Sequence, residues 1–500
     1  MTTSAATENV RRLMGFDTAG EPFVSGDRVY RGIYRGNADW VRHVLRIVQD
    51  NDLFSHGIVG TREASPNPHP ELDYELVLEH DRIPFVTFPH EWSPSMFKES
   101  ALLHVALFER LGEHGLTLKD WHPQNILFTG TRPVFVDFTS IIPVSELARQ
   151  SYLQTGRAPA IISNWWDTTA KGFFEMHRLM YEPYFGLPLA LMDQGRHALA
   201  RKRIYETTLN AADSVITRGE AFQGRLVQRL AHELRERLQW LALMESGPQK
   251  KKFLRRIRHG IAALDAAHPG SAYSTYYEDK NEVFSTVPSP GWTSKQRGVH
   301  GALVQHKPST VLDLGSNTGW FSMLAAGLGS SVVAVDLDEG SIDRLFIEAR
   351  RDGLEILPLV ANLTKPLPAL EPRVYPNEPS LSLIGDGQPL VSSPRDRLQC
   401  EMVLALAIVH HLTLGQGLTF AEVATILAGL STKYLCVEFV GMDDAMVVGD
   451  PAFFPAHHAA PDAFGWYDAE GFVAALREHF SNIEVVPSFP DTRQLLICTK

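Results

Sequence analysis

The chain has 500 residues, which is too long for one ordinary hydrophobic core and predicts two large domains or about three smaller ones. Hydrophobic residues make up 44% and charged residues 21%, an ordinary globular composition that predicts little disorder outside the N-terminus. The formal net charge of −11 and a pI near 6.0 argue against a nucleic-acid protein that works by broad phosphate neutralisation.

The first residues, MTTSAATENVRRLMGF, have no apolar segment of the kind a secretory signal needs. No stretch approaches about 18 uninterrupted apolar residues, the minimum for a membrane span. Cys400, Cys436 and Cys498 are scattered and do not have the spacing of metal ligands. We therefore expect a cytoplasmic protein without a membrane span, a disulfide framework or a metal site.

The first chemical motif in chain order is TLKDWHPQNILF at 117–128, which follows a predicted helix and precedes VFVDF at 134–138. This order of helix, loop and strand, with an Asp-x-His-x-x-Asn loop and a later Asp-Phe, resembles the catalytic and metal-binding loops of aminoglycoside-phosphotransferase-like kinases. The resemblance implies that Asp120 would be the base for an attacking hydroxyl, and that Asn125 and Asp137 would hold magnesium.

Other parts of such a kinase are not found in the sequence. No G-x-G-x-x-G loop appears before residue 90, and no strand supplies the lysine that pairs with nucleotide phosphates. Thr139 follows Asp137-Phe138, where the family usually has an acid or glycine. We favour a degenerate kinase-like α+β domain over residues 1–245. An active phosphotransferase, and a chance likeness within a helical domain, remain alternatives.

A break in the pattern predicts a linker over residues 246–270. Before it, five leucines lie on one predicted helical face, at positions 226, 230, 234, 238 and 241. Gly247-Pro248 and the basic run KKKFLRRIRHG at 250–260 then interrupt this pattern. We favour a solvated helix face for the basic run over a patch for nucleic acid or membrane.

Residues 271–500 alternate short apolar runs with helical patterns, which predicts an α/β fold with a parallel, doubly wound, Rossmann-like sheet. The final helical pattern is followed by two predicted strands, IEVVPSF and QLLICTK, which form an antiparallel closing hairpin at the sheet edge. The other predicted strands lie within 309–316, 330–338, 354–363, 400–412 and 433–440.

The segment VLDLGSNTG at 311–319 predicts a strand followed by a tight loop at the start of a helix. Gly315 and Gly319 would let backbone N–H groups approach a ligand closely. The next predicted strand ends at Asp336, where a carboxylate can accept hydrogen bonds from ribose hydroxyls. Asp313 would repel a pyrophosphate, and the third glycine of the dinucleotide fingerprint is missing. The pattern therefore favours a nucleoside ligand with a cationic or zwitterionic group.

Together, DLGSNTG, VVAVDLD, VLALAIVHHL and YLCVEFV resemble, in order and spacing, the motifs of class I S-adenosylmethionine-dependent methyltransferases. The resemblance implies that Asp336 binds the ribose, that Leu337 packs on the adenine, and that Asn362 lies near the adenine amine, where family members often have aspartate. More loosely, the whole chain is similar to two-part bacterial proteins with a C-terminal methyltransferase, some of them named nodulation proteins. The residues implied to line the methionine part are Asp313, Gly315, Ser316, Asn317 and Gly319.

Candidate catalytic residues follow the fourth and fifth strands. His410 and His411 are expected to end the fourth strand, where an imidazole could take the acceptor's proton, with His411 slightly favoured. Glu438 is expected to end the fifth strand near the same pocket, to orient a histidine or hold substrate, or else to be a loop carboxylate in water. Asp443 and Asp444 are expected to be solvated. Aromatic residues that could wall an acceptor pocket, or be ordinary core, are Tyr276, Tyr277, Trp292, Trp320 and Phe321.

The resemblance implies S-adenosylmethionine-dependent methylation, and we expect the acceptor to be a small molecule such as a natural-product or saccharide intermediate. The N-terminal domain would bind substrate or act as a scaffold. A nucleic-acid acceptor is disfavoured by the acidic balance. Two alternatives remain: a bifunctional protein with phosphotransferase activity through Asp120, Asn125 and Asp137, and a non-catalytic scaffold that keeps the cofactor fold.

Overall fold

The computed structural model describes residues 10–13, 17, 19–119, 122–143, 145–146, 182–209, 248–271, 284–362, 394–449, 454–459 and 461–500. Three of the residues singled out above, Asp120, Tyr276 and Tyr277, lie outside these ranges, as does the leucine-rich segment 222–244. The described chain forms one five-stranded sheet, one seven-stranded sheet and two small two-stranded sheets.

The N-terminal sheet is antiparallel, with the strand order β1-β2-β3-β5-β4. Helix α1, Ala38–Asp50, connects β3 to β4 and buries one apolar face that includes Val41, Val44 and Val48. A region with little periodic signal in the sequence is therefore an ordered sheet. Its strands are β1 Val10–Arg12, β2 Gly20–Ser25, β3 Arg28–Ile33, β4 Thr61–Glu63 and β5 Leu76–His80.

Helix α2, Pro94–Gly112, is the central element of the rest of the N-terminal half. The Ser93 hydroxyl caps it by accepting the N–H of Met96, and Pro94 occupies the first helical position, where its missing N–H costs nothing. The helix contacts β6, β8 and helix α3. The remaining elements here are β6 Leu116–Leu118 paired with β9 Ile141–Pro143, β7 Ile126–Thr129 paired with β8 Arg132–Phe135, and helices α3 Leu187–Asp193 and α4 His197–Leu209.

The basic run predicted to lie in a linker belongs to helix α5, Pro248–Ala262, which packs against α2. Leu254, Ile257 and Ile261 are buried, and their spacing of three and four residues places them on one helix face. On a neighbouring face, Arg258 lies 3.4 Å from the Glu109 carboxylate of α2. The run is thus part of a helix that packs against the N-terminal half.

The C-terminal sheet has the strand order β12-β11-β10-β13-β14-β16-β15. The first five strands are parallel, and β16 runs antiparallel to both of its neighbours. This confirms the predicted α/β fold class, including the closing hairpin. The strands are β10 Thr310–Leu314, β11 Ser331–Asp336, β12 Ile356–Val360, β13 Cys400–Ala405, β14 Ser431–Val440, β15 Asn482–Pro487 and β16 Arg493–Thr499.

Both faces of this sheet are buried, as expected for a parallel sheet with helical crossovers. In β11, Val333 and Val335 belong to one apolar cluster, while Val332 and Ala334 belong to another. None of the helices within the described ranges has the length and hydropathy needed to cross a bilayer. The helices of this half are α6 Ser294–His306, α7 Trp320–Gly327, α8 Glu339–Asp352, α9 Pro394–Arg397, α10 Phe420–Leu430, α11 Ala445–Gly449, α12 Pro455–Ala459 and α13 Ala469–Arg477.

The two halves share buried polar and apolar contacts. Asp343 of α8 accepts hydrogen bonds from the backbone N–H of Ser95, at 2.8 Å, and from its hydroxyl, at 3.0 Å. The Arg397 guanidinium forms a buried ion pair with Glu91. Phe128 and Phe346 meet edge to face with ring centroids 6.4 Å apart. The halves therefore pack through one continuous core.

Candidate active site

The loop between β10 and α7 includes left-handed backbone conformations, which glycine adopts easily. Gly315, Asn317 and Gly319 all have positive φ, at 68°, 53° and 83°. Gly319 is also tightly enclosed, because a Cβ there would overlap the Leu345 side chain. The loop is anchored to the neighbouring strand, since the N–H groups of Gly315 and Ser316 both point to the Val335 carbonyl oxygen, at 2.8 and 3.1 Å.

Asp336 closes this loop from the end of β11. Its Oδ2 accepts the backbone N–H of Asn317 at 2.8 Å, and its Oδ1 accepts that of Asp338 at 2.9 Å. Burial raises the pKa of Asp336, and these backbone hydrogen bonds oppose the rise. The structure therefore brings the predicted loop and the predicted ribose-binding acid into direct contact.

Two buried polar side chains, one at the end of β10 and one in the loop, suit a site that binds a polar ligand. Asp313 is buried and accepts a hydrogen bond from Ser322 Oγ at 2.6 Å, and burial raises its pKa to about 7. Ser316 Oγ is buried and has no hydrogen-bond partner within the described part of the chain. Buried polar groups are normally paired, so this hydroxyl fits a site that a polar ligand completes.

Leu337 and Asn362 lie beside Asp336 at the carboxyl edge of the sheet. Leu337 is 62% exposed although it is a large apolar side chain, as expected of a surface that an aromatic base would cover. Asn362 lies two residues beyond the end of β12, and the preceding N–H, of Ala361, donates to the Asp336 carbonyl at 3.1 Å. All eight residues predicted to contact the cofactor are thus at one sheet edge.

The sequence suggested that His410 and His411 end the fourth strand, but the structure places both beyond it. Strand β13 stops at Ala405, and Ala407 adopts a left-handed conformation at φ 52°, which breaks the extended run. His410 then precedes a π-helical turn, His411–Gly415. The apolar run continues past the strand because this loop is buried as well, and burial alone does not distinguish strand from turn.

The two imidazoles lie side by side, with ring centroids 4.2 Å apart, and Phe454 packs against both. Burial lowers the pKa of His410 to about 3, and the proximity of His411 adds to this. Burial, followed by the Arg493 charge, also lowers the pKa of His411. Both rings are therefore neutral at pH 7. His411 is the more accessible of the two, because His410 is almost fully buried.

Glu438 is neither a loop carboxylate in water nor a partner that orients a histidine by direct contact. It lies inside β14, fully buried, where Lys295 Nζ is 2.8 Å from Oε2 and Ser488 Oγ donates to Oε1 at 2.5 Å. A carboxylate buried between strands needs such a cation, since an unpaired charge would be costly there. The sequence could not show this pair, which joins residues 143 positions apart.

Asp443 is exposed, as expected for the acids after β14, but the same expectation is wrong for Asp444. It is buried and receives two hydrogen bonds from the Arg493 guanidinium, at 2.7 and 3.0 Å. Burial would raise the pKa of Asp444, but the hydrogen bonds from Arg493 and Thr492 hold it below its usual range. Arg493 and Lys295 are the site residues that sequence reasoning missed. The one available signal was an arginine at the start of an otherwise apolar final strand.

The aromatic residues proposed as pocket walls are core residues where they are described. Trp320 packs against Trp292 at 5.5 Å and against Phe321 at 4.9 Å, and all three are buried. Lys295 lies over the Phe321 ring, with Nζ 5.4 Å from its centroid. These rings therefore pack beneath the surface, next to the loop and Lys295, and do not form an exposed aromatic wall of a pocket.

The N-terminal motif is held by an arginine that the sequence analysis did not identify. Arg31, on the third strand of the N-terminal sheet, lies 3.0 Å from Oδ1 of Asp137. Burial raises the pKa of Asp137, and the Arg31 charge opposes the rise. Within the described ranges, no group of three or more His, Cys, Asp or Glu side chains is arranged to hold a metal ion.

No family model matches the chain. The chain is 25% identical over 483 residues to the nodulation protein NoeA of Rhizobium meliloti strain 1021. The match covers 92% of this chain and 90% of NoeA. The chain therefore matches that relative across both halves.

Solved structures similar to this chain include methyltransferases. Magnesium protoporphyrin IX methyltransferase (ChlM) of Synechocystis PCC 6803, with bound SAH, is 14% identical, covers 41% of this chain and 83% of its own, and has a TM-score of 0.27. The N-methyltransferase NodS of Bradyrhizobium japonicum WM9 is 11% identical and has a TM-score of 0.27; the match covers 41% of this chain and 92% of NodS. The bifunctional kinase-methyltransferase WbdD is 13% identical and has a TM-score of 0.28; the match covers 45% of this chain and 42% of the WbdD chain. At these TM-scores the fold assignment rests on the strand order itself.

Proposed function

We propose that the C-terminal half is an S-adenosylmethionine-dependent methyltransferase that acts on a small molecule. The observation that carries this proposal is the hydrogen bond between the Gly315–Gly319 loop and Asp336 at the carboxyl edge of the parallel sheet. Loop, acid and exposed Leu337 together form a place for a nucleoside with an amino-acid tail, and Asp313 supplies a carboxylate for a positively charged amino group.

The roles of the residues follow from their positions. Asp336 would accept hydrogen bonds from the ribose hydroxyls, and Leu337 would cover the adenine. Ser316 Oγ, buried and without a partner among the described residues, would bond the methionine part of the cofactor. Gly319 lets the loop pack close to α8, because the Leu345 side chain leaves no room for a Cβ there. When bound, S-adenosylmethionine supplies a methyl group activated by a sulfonium.

The residues beside this pocket can move a proton. His411 carries a neutral imidazole at pH 7, so one of its ring nitrogens can accept the proton of a hydroxyl or amine as that group is methylated. His410 packs against it and limits its movement. The Lys295–Glu438 and Arg493–Asp444 pairs neutralise the charges behind the site, which favours a neutral acceptor. A natural-product or saccharide intermediate would meet this description.

For the N-terminal half we propose a degenerate kinase-like domain that binds substrate or acts as a scaffold in the cytoplasm. The five-stranded sheet with a helix between its third and fourth strands supports this proposal. Protein kinases carry their phosphate-binding lysine on the third strand. Here Arg31 is on that strand, and it is ion-paired with Asp137, the residue that would otherwise hold magnesium.

A co-structure with S-adenosylhomocysteine tests the methyltransferase proposal. We expect its ribose hydroxyls at Asp336 and its adenine over Leu337, and the adjoining density will show the size and polarity of the acceptor pocket. Ligand bound elsewhere would refute the assignment of these residues. The phosphotransferase alternative requires magnesium-dependent binding of ATP that is lost in Asp137→Ala, and the absence of any ATP binding would eliminate it.

A further inference from the structure

A cluster of four charged side chains and one hydroxyl lies in the N-terminal half, away from the proposed methyltransferase site. It consists of Asp17, Arg31, Lys119, Asp137 and Thr139, which come from segments up to 122 residues apart. Arg31 and Thr139 are buried and the other three residues are partly buried. Lys119 Nζ is 2.8 Å from Oδ1 of Asp17, Arg31 is 3.7 Å from its Oδ2, and Thr139 Oγ1 donates a hydrogen bond to that same oxygen. Lys119, Thr139 and the backbone N–H of Ala19 (2.9 Å) therefore donate hydrogen bonds to one carboxylate. Arg31 faces the same carboxylate as an ion-pair partner, and its own hydrogen bond goes to Thr139 Oγ1 at 2.7 Å.

The charges in this cluster balance, with two cations facing two carboxylates. Arg31 bonds Asp137 at 3.0 Å, which leaves Lys119 as the main partner of Asp17. Burial would raise the pKa of Asp17, but Lys119 and Arg31 hold it below its usual range, so the carboxylate is ionised at pH 7. A lysine, an arginine and a hydroxyl around one oxyanion are also the groups with which proteins bind phosphate.

A second observation indicates that the carboxylate does not satisfy every donor. Arg31 is more than nine-tenths buried, yet its Nε has no hydrogen-bond partner within the described ranges. A buried guanidinium donor is normally paired. A carboxylate offers two oxygens, and a phosphoryl group offers three. The donor set therefore has more capacity than Asp17 uses.

We propose that Asp17 is an internal substitute for a phosphate group: its carboxylate occupies an anion site made by Arg31, Lys119 and Thr139 and so excludes polyphosphates from the native chain. Removal of that one negative charge leaves the cluster with an excess positive charge, which a bound anion can neutralise. The inference stands on the N-terminal contacts alone and is independent of the methyltransferase proposal.

The test compares full-length wild type with Asp17→Asn by calorimetric titration with inorganic pyrophosphate, and separately with ATP, in magnesium-free buffer. Asp27→Asn is the matched control, because it removes the same charge from an exposed turn between β2 and β3. We expect no pyrophosphate binding by wild type or Asp27→Asn, and binding by Asp17→Asn at least about tenfold tighter than the detection limit. Lys119→Gln added to Asp17→Asn should abolish it. Tighter binding of ATP than of pyrophosphate would identify a nucleotide site, and equal binding a site for free polyphosphate.

Two results would overturn the inference: a folded Asp17→Asn that binds neither anion, or a wild type that binds either of them. If Asp17→Asn does not fold in phosphate-free buffer, refolding is repeated with pyrophosphate and with chloride at equal ionic strength. Recovery by pyrophosphate alone supports the site, and failure with both contradicts it. S-adenosylmethionine binding, measured on the same samples, shows separately whether the C-terminal proposal stands.

Discussion

The backbone N–H of Asn317 donates a hydrogen bond to Oδ2 of Asp336 over 2.8 Å, and this contact joins the loop after β10 to the end of β11. The two groups are 19 residues apart in sequence, and neighbouring parallel strands bring them together. Because the acid shapes the loop that it faces, cofactor affinity and the local fold depend on the same side chain. The effect of a substitution at Asp336 on cofactor binding must therefore be separated from its effect on stability.

Gly319→Ala is expected to destabilise the protein more than Gly353→Ala does. Both glycines have positive φ, which costs an alanine about 1–2 kcal/mol. Only at Gly319 does an added Cβ overlap a buried side chain, that of Leu345, whereas the space around Gly353 is open. Overpacking of this kind adds about 1–3 kcal/mol. Urea denaturation of the two variants measures the difference, and equal losses would contradict the enclosed loop.

Arg397→Gln is expected to cost about 3–5 kcal/mol of unfolding free energy, because it leaves Glu91 buried without its cation. Arg350→Gln is the control, since it breaks a more exposed pair with Glu99 and should cost about 1 kcal/mol or less. Burial already raises the pKa of Glu91 despite Arg397, so its carboxyl should protonate more readily in the variant. The loss should therefore shrink as the pH falls from 8 to 5. A pH-independent loss would argue against an unpaired carboxylate.

Affinity for S-adenosylmethionine is expected to rise between about pH 6 and pH 8. The pKa of Asp313 is raised to about 7, so the carboxyl is largely protonated below that pH and ionised above it. Only the ionised form attracts the positively charged amino group of the cofactor, so affinity should increase up to about tenfold per pH unit below the pKa. Calorimetry at several pH values measures this. The rise should vanish in Asp313→Asn, and also for 5′-methylthioadenosine, which has no amino-acid group.

Protein stability is expected to fall in acid partly through His410. Its folded pKa is about 3 and its unfolded value about 6.5, so between these values the unfolded state binds a proton that the folded state does not. Stability from this residue is therefore complete above about pH 6.5 and is lost as the pH falls, by up to about 1.4 kcal/mol per pH unit. His410→Gln should have a shallower acid dependence between about pH 6 and 4. Parallel curves for variant and wild type would show that His410 is not the titrating group.

The C-terminal fold was predictable because its signals are local. Parallel strands that are buried on both faces appear as short apolar runs, and β10 and β11 were found within one or two residues of their ends. The Gly315–Gly319 loop and Asp336 follow those runs directly. Once the strands are taken as neighbours, the acid and the loop must meet at one edge.

The remaining interactions depend on contacts that no local pattern contains. Lys295 pairs with Glu438 across 143 residues, and Arg493 pairs with Asp444 across 49. An α+β domain was expected in the N-terminal half, but the strands of its sheet were not located, in part because β1 and β4 have only three residues each, too few to show a period. Arg31 could be placed opposite Asp137 only once that sheet was known.

The central claim is a cofactor site at Asp336, and the most direct measurement is calorimetric titration of the full-length chain with S-adenosylmethionine. Wild type is compared with Asp336→Ala and with Asp352→Ala, which removes an exposed carboxyl at the end of α8. We predict a dissociation constant below about 1 mM for wild type and Asp352→Ala, and at least about tenfold weaker binding for Asp336→Ala, with all three proteins folded. The absence of binding by wild type at millimolar cofactor, or equal affinity in all three, would contradict the claim.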